Sequence, residues 1–175
     1  HKDNEYVKLV VENISSKIRD IFLYHYLNNS INFNFCAIKS KTMSKDFQQI
    51  SIQQGFMKHN GGVLFRNISE TEYEFKSTIN QNHLNAAGIT HGGYLSALVD
   101  AGAGTAAHRC AENAPCVTIS LDLKFIGPSK TGDEIIGNVK ILKKTKTLVF
   151  LFCELKCNDK IITSATGVWK ILKKS

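Results

Sequence analysis

The spacing of hydrophobic residues changes along this chain, and the changes divide it into stretches of different character. Over residues 5–27, Tyr6, Leu9, Val10, Ile14, Ile18, Ile21, Phe22 and Tyr26 fall largely on one stripe at helical spacing. Asn28, Asn29 and Ser30 end that stripe. Residues 31–54 are irregular, with a helix expected around 44–53. Neither stretch carries a chemical motif, so 1–54 is read as an N-terminal helical extension that docks on the domain or on a neighbour. The domain itself is expected at 55–175. From Gly61 onward the period drops towards two, the alternation of a half-buried strand. Strands are expected at 63–67 and 72–79, joined as a hairpin, then a turn-rich loop at 80–90 and a helix from 91 to about 110. Four strand-like runs follow, at 116–125, 134–142, 148–157 and 161–172, the last after a tight turn at Asn158 and Asp159.

Links between the strands after the helix are short enough for antiparallel pairing. One helix between two groups of strands predicts an α+β domain, an antiparallel sheet wrapped around one central helix. The helix composition agrees. Leu95, Leu98 and Val99 are mixed with Ala97, Ala101, Gly102, Ala103, Gly104, Ala106 and Ala107. A surface helix would show a broad polar face, whereas small residues let a sheet approach on several sides.

Composition narrows the class. Apolar residues are 43% of the chain and charged residues 21%, as in ordinary globular domains, and no apolar run reaches transmembrane length. Membrane insertion is therefore not expected. Five cysteines form no C-x-x-C pair, and their odd number favours free thiols in a reducing compartment. That points to an intracellular, cytoplasmic protein; the alternative is a mitochondrial or other organellar one, had a targeting segment preceded His1. Cysteine and histidine do not cluster at ligand spacing, so no metal is expected. The net charge of +7 asks for an anionic partner. The basic residues are not interleaved with aromatics in a nucleic-acid motif, and a small polyanion such as a nucleotide-bearing molecule would also be attracted; composition alone does not choose between them.

Chemistry concentrates in 85–100, NAAGITHGGYLSALVD. Gly92 and Gly93 are poor helix formers but permit close backbone approach by a ligand at a helix start. The first amides of a helix lack internal partners, and its dipole favours negative charge there, such as a developing oxyanion. Asn85 could add a side-chain donor. Asp100 lies between Val99 and Ala101 on an apolar helix, where an ionised carboxylate is costly without partners. It reads either as a buried acid satisfied by hydrogen bonds or by Arg109, or as a base or nucleophile. His91 and Asp100 are nine residues apart, hence ~13 Å along a helix and ~180° around it. If both act on one atom, the carboxylate comes from another copy. A two-fold pairing with antiparallel helices then gives two equivalent sites.

The pattern Asn85, Gly88, His91, Gly92, Gly93, Leu98 and Asp100, with Thr118, Pro128, Gly132 and Lys146 in register downstream, resembles the hotdog-fold acyl-CoA thioesterases. The phenylacetate-degradation and mammalian thioesterase-superfamily type is the one it resembles, over about residues 55–172. The resemblance implies hydrolysis of acyl-CoA to free acid and CoA. It assigns the carbonyl to the Gly92 amide and the Asn85 side chain, with His91 assisting. Asp100 of the partner chain would activate water or attack directly, and Thr118 would place that water. Coenzyme A is expected along 125–130, at Phe125, Pro128, Ser129 and Lys130, and at the turn bearing Lys143, Lys144, Lys146 and Thr147. CoA belongs to the substrate, so no cofactor is expected. A homodimer or a dimer of dimers is the expected assembly.

Two other readings compete. Folds of this kind also serve as non-catalytic acyl-CoA sensors, although residues 1–50 hold no clear helix-turn-helix pattern. The hydratase branch of the same fold uses a different acid–histidine pair. His83, His108 and Cys110 have no role in the resemblance, and His108, Cys110, Cys153 and Cys157 are read as helix-end or packing residues.

Overall fold

A computed structural model describes residues 46–173 of the chain. Its elements in order are β1 (Gln48–Gln49), α1 (Phe56–His59), β2 (Leu64–Asn67), β3 (Glu72–Thr78), a 3-10 turn (Gln81–His83), α2 (Gly92–Cys110), β4 (Cys116–Phe125), β5 (Glu134–Lys144), β6 (Leu148–Cys157) and β7 (Lys160–Ile171). Among the described residues the strands form one sheet in the order β1-β2-β3-β5-β6-β7-β4. Every pairing is antiparallel. This is the expected α+β hotdog architecture, with α2 lying on one face of the sheet.

Alternation decides which side chains meet the helix. Along β6, Val149, Leu151, Cys153, Leu155 and Cys157 are buried while the residues between them are partly exposed. β3 does the same with Tyr73, Phe75 and Ser77. From α2, Leu95, Leu98, Val99, Ala103, Ala106 and Ala107 complete the core. Leu98 and Val99 are fully enclosed, each stabilising the fold by roughly 1.5–3 kcal/mol relative to exposure.

Glycines let two aromatic rings key the helix to the sheet. A Cβ at Gly102 of α2 would lie 2.3 Å from the Phe75 ring, and one at Gly137 of β5 would lie 2.1 Å from it. Trp169 fills the corresponding space over Gly167, and its indole nitrogen sits 3.2 Å from where a Gly104 side chain would begin. The small residues of α2 are thus partly sockets for bulky sheet residues.

One expectation needs correction. Within the described part of 44–53 there is no helix. Gln48 and Gln49 pair with Phe65 and Leu64, and the Ile50 N–H donates to the Val63 carbonyl at 3.0 Å. An available sheet edge offers these backbone groups partners that an isolated helical turn lacks. The helical stripe expected over 5–27 lies outside the described residues.

Strand β4 closes one side of the sheet and pairs only through β7 among the described residues. Val117, Ile119, Phe125 and Ile126 are exposed along and just beyond it.

Candidate active site

The loop between β3 and α2 is built by its own side chains. Asn80 caps the 3-10 turn by accepting from the Asn82 N–H at 2.9 Å. Leu84 and Thr90 form an isolated bridge that pinches the loop shut. Between them Asn85 N–H donates to the Ile89 carbonyl at 2.8 Å, and Gly88 N–H to the Asn85 carbonyl at 3.0 Å. Gly88 sits at φ 75°, the left-handed region that suits glycine. The Asn85 Oδ1 accepts from the amides of Ala87 at 2.9 Å and Ile89 at 3.3 Å. Both partners are donors, so the oxygen faces the loop and the Asn85 Nδ2 is left to donate elsewhere.

Helix α2 begins at the next residues. His91 is its N-cap, and the His91 Nδ1 accepts from Gly93 N–H at 2.8 Å. That bond puts the proton of a neutral His91 ring on Nε2. It also engages the Gly93 amide. The Gly92 N–H has no acceptor among the described residues, so it is the helix-start donor that remains. The Phe125 ring lies against Gly92, 3.3 Å from where a Cβ would be.

Asp100 lies on the exposed side of α2, not buried as the apolar neighbours had implied. Each turn of a wrapped helix still presents one direction away from the sheet, and Asp100 occupies it. Arg109 is not its partner: Arg109 donates to Asn113 Oδ1 at 3.0 Å. The Asp100 Oδ1 instead accepts from Thr118 Oγ1 at 2.7 Å. Thr118 stands where the β4–β7 register shifts between Thr118 and Ser120. The two residues share a groove of about 550 Å³ with Gly104, Thr105, His108 and Trp169. Asp100 is nine residues beyond His91, ~13 Å along α2 and on its opposite side.

The residues expected along coenzyme A divide in the same way. Pro128, Ser129 and Lys130 line a cavity of about 530 Å³ with Ile126, Asn158 and Lys160. Asn158 and Lys160 were not among the sequence candidates; their place in the tight β6–β7 turn was visible, but its approach to 126–130 was not. The Ser129 hydroxyl is buried and donates to Thr90 Oγ1 at 2.7 Å, while Thr90 N–H reaches the Ser129 carbonyl at 2.8 Å. Ser129 therefore ties two loops together. The other segment lies at the far end of the sheet. Phe125 pairs with Thr163, whereas Cys116 pairs with Ile171 and Leu148 with Lys170. β4 spans ten residues, roughly 30 Å. Lys144 forms an ion pair with Glu112 at 3.1 Å, and Thr147 accepts from Ile171 N–H at 2.8 Å. Lys143 and Lys146 are exposed.

Every candidate thus belongs to one of two groups. Asn85, His91, Gly92, Phe125, Pro128, Ser129 and Lys130 occupy one end of the domain. Asp100, Thr118, Lys143, Lys144, Lys146 and Thr147 lie towards the other.

The remaining titratable groups fit supporting roles. Burial pushes the Cys153 thiol up to about 12 and raises Cys110, Cys116 and Cys157. These thiols stay protonated near neutrality and are poor nucleophiles. His108 bonds the Ala114 carbonyl through Nδ1 at 2.8 Å, closing the turn after α2. Among the described residues no three His, Cys, Asp or Glu side chains gather as a metal site requires, and no helix is long and apolar enough to cross a membrane.

Comparison with known proteins bears on the family and the fold. The family model of the thioesterase superfamily matches residues 87–163. A putative esterase of Pseudomonas aeruginosa is 33% identical over 94 residues, 53% of this chain and 70% of that protein. Acyl-coenzyme A thioesterase 13 of Homo sapiens is 28% identical over 129 residues, 72% of this chain and 85% of its own length. The solved structure of zebra fish thioesterase superfamily member 2 superposes with a TM-score of 0.63 at 23% identity, covering 69% of this chain and 89% of that one. The matched span runs from the loop that carries Asn85 through the helix and strands that carry Asp100 and Thr118, and the chain belongs to the thioesterase superfamily.

Proposed function

We propose that this protein hydrolyses acyl-CoA thioesters, at sites formed between two copies of the chain. The observation that carries this reading is the division of the candidate residues. One end offers two outward hydrogen-bond donors, Asn85 Nδ2 and Gly92 N–H, while the His91 Nδ1 beside them is already engaged by the Gly93 N–H. The other offers a carboxylate held by a hydroxyl, Asp100 with Thr118, and lacks an oxyanion hole. Antiparallel pairing of two β4 edges about a two-fold axis brings the Cys116 end of one strand beside the Phe125 end of its copy. That pairing supports the reading in a second way, since it covers Val117, Ile119 and Phe125 and gives the edge backbone partners.

The chemistry follows from the groups. The thioester carbonyl oxygen lies against Asn85 Nδ2 and Gly92 N–H, which hold it more tightly as negative charge develops. Asp100 of the second copy takes a proton from water, or attacks the carbonyl itself, while Thr118 fixes the carboxylate. The C–S bond breaks and CoA leaves as a thiolate, a weak base that needs little protonation. Water is the only co-substrate, so this reading requires no cofactor of the protein's own. The nucleotide part of CoA is anionic, which suits Lys130, Lys160, Lys143 and Lys146 at the two ends of the composite site. The human relative is named an acyl-coenzyme A thioesterase, which favours the same substrate class here.

The test is release of free CoA from a panel of acyl-CoA esters, aromatic ones included. The expected result is turnover on at least one of them, lost by orders of magnitude in a folded Asp100→Asn protein. Tight binding of CoA esters without turnover in the unaltered protein overturns the enzymatic reading.

A further inference from the structure

His83 is absent from the chemistry above, yet its ring is fully enclosed two residues before Asn85. It is 1% exposed, so it touches no substrate. Both ring nitrogens are engaged. Nδ1 accepts from the Asn80 N–H at 3.1 Å, which leaves the proton on Nε2, and Nε2 donates to the Asn60 carbonyl at 3.0 Å. The ring face stacks on Tyr94 with centroids 3.7 Å apart and planes 7° from parallel. Tyr94 lies in the first turn of α2, and its hydroxyl shares a hydrogen bond of 2.8 Å with Ser77 Oγ on β3. The backbone of His83 does further work, because its carbonyl accepts the His91 N–H at 2.7 Å.

These contacts meet around one stretch of chain. The carbonyl bond to His91 anchors the start of α2 and so Gly92. The two ring bonds tie His83, two residues before Asn85, to Asn80 and Asn60. The stack on Tyr94 then holds the first turn of the helix against the same ring. We infer that His83 and Tyr94 together form a positioning unit, which sets the Asn85 amide and the Gly92 N–H at the spacing a single carbonyl oxygen requires. The inference rests on the proposed thioester hydrolysis and adds to it the groups that pre-organise the oxyanion donors. Displacing one such donor by about 1 Å is enough to lower a rate on the order of 100-fold.

Three variants test this in the full-length protein. His83→Phe keeps a flat ring but loses both hydrogen bonds. His83→Asn restores an acceptor near the Nδ1 position. Tyr94→Phe keeps the stack and loses only the hydroxyl. For His83→Phe the expected result is a fall in kcat of roughly 10- to 100-fold with KM within about threefold of the unaltered protein, because oxyanion contacts strengthen in the transition state. His83→Asn should recover part of that loss, and Tyr94→Phe should show a smaller fall of the same kind. Unchanged kcat in folded His83→Phe overturns the inference, as does a loss confined to KM. Should His83→Phe fail to fold, Tyr94→Phe decides, with unchanged kcat again overturning it. Amide hydrogen exchange separates this from failure of the functional reading. An unaltered protein with no thioesterase activity overturns the hydrolysis. The positioning unit then stands only if 84–92 exchanges faster in Tyr94→Phe, and is overturned if exchange there is unchanged.

Discussion

Two variants that are each inactive as homodimers should restore one another when paired. Asn85→Ala removes the side-chain donor from one end of the domain, and Asp100→Asn removes the base from the other. In either homodimer both sites lack one group. In a mixed dimer built across two chains, one site receives both changes and the other receives neither. One of two sites is then intact, so the mixed dimer should regain about half the turnover of the unaltered dimer. The distance argument behind this is short. Asp100 lies nine residues beyond His91 on α2, ~13 Å along the axis and on the opposite side, too far for both to reach one carbonyl carbon within a chain. Background is low, because loss of one oxyanion donor alone costs on the order of 100- to 1,000-fold in kcat. Co-expression with two different tags and sequential affinity purification isolates the mixed species, and CoA release is then measured per dimer. Verified mixed dimers that remain at the level of the homodimers refute the shared site. An active monomer at nanomolar concentration refutes it as well.

Gly102→Ala should be strongly destabilising, because its Cβ would stand 2.3 Å from a Phe75 ring already pressed against Gly137. The expected cost is about 1–3 kcal/mol, read as a lower midpoint in calorimetry or denaturant melts, and an unchanged midpoint would show that Phe75 can move aside. Thr118→Val removes the hydrogen bond to the Asp100 carboxylate while keeping a β-branched residue on β4. A charged hydrogen bond of ~1.5–3 kcal/mol corresponds to a kcat about tenfold lower or more, with melting little changed. Burial holds the His83 imidazole below its ordinary pKa of 6.5, and the groups facing it are the Tyr94 phenol and the Asn60 and Asn80 backbones. The unfolded chain therefore takes up this proton at a higher pH than the folded one. Stability should fall as pH drops below the unfolded value near 6.5 and level off beneath the folded value. Melting curves between pH 7.5 and 4.5, expected on the order of this window, should show a steeper acid loss in the unaltered protein than in His83→Phe; equal slopes would remove His83 as the cause.

Much of this was legible in the residues because local chemistry and fold agreed. The small-residue run through Gly102 and Gly104 announced a wrapped helix, and Phe75 and Trp169 supply the rings that need the space. The loop Asn85–Ile89 is legible as a tight turn because Asn85 and Gly88 are turn-forming residues, and the Asn85 Oδ1 accepts two of its amides. Asp100 was placed correctly along the chain but not in its surroundings. Periodicity among alanines does not reveal which side of a wrapped helix the sheet leaves uncovered. The two-residue strand at Gln48–Gln49 left no alternation to detect, since its partner strand determines it. The resemblance puts Ser129 along coenzyme A, but spacing gives no hint that its hydroxyl also donates to Thr90, 39 positions earlier. Contacts of that range leave no mark on spacing.

The aromatic rings seated over Gly102, Gly137, Gly104 and Gly167 also fix where α2 stands along its own axis. Sliding the helix by one turn, about 5.4 Å, would carry both helical glycines off their rings and drive Val99 or Ala106 towards Phe75. The same rod bears the Gly92 amide at its tip and the Asp100 carboxylate midway along, so it behaves as a ruler with two marks. In the proposed pair, each mark is read by a different catalytic centre. The glycine sockets, remote from any reacting atom, thereby calibrate both centres at once.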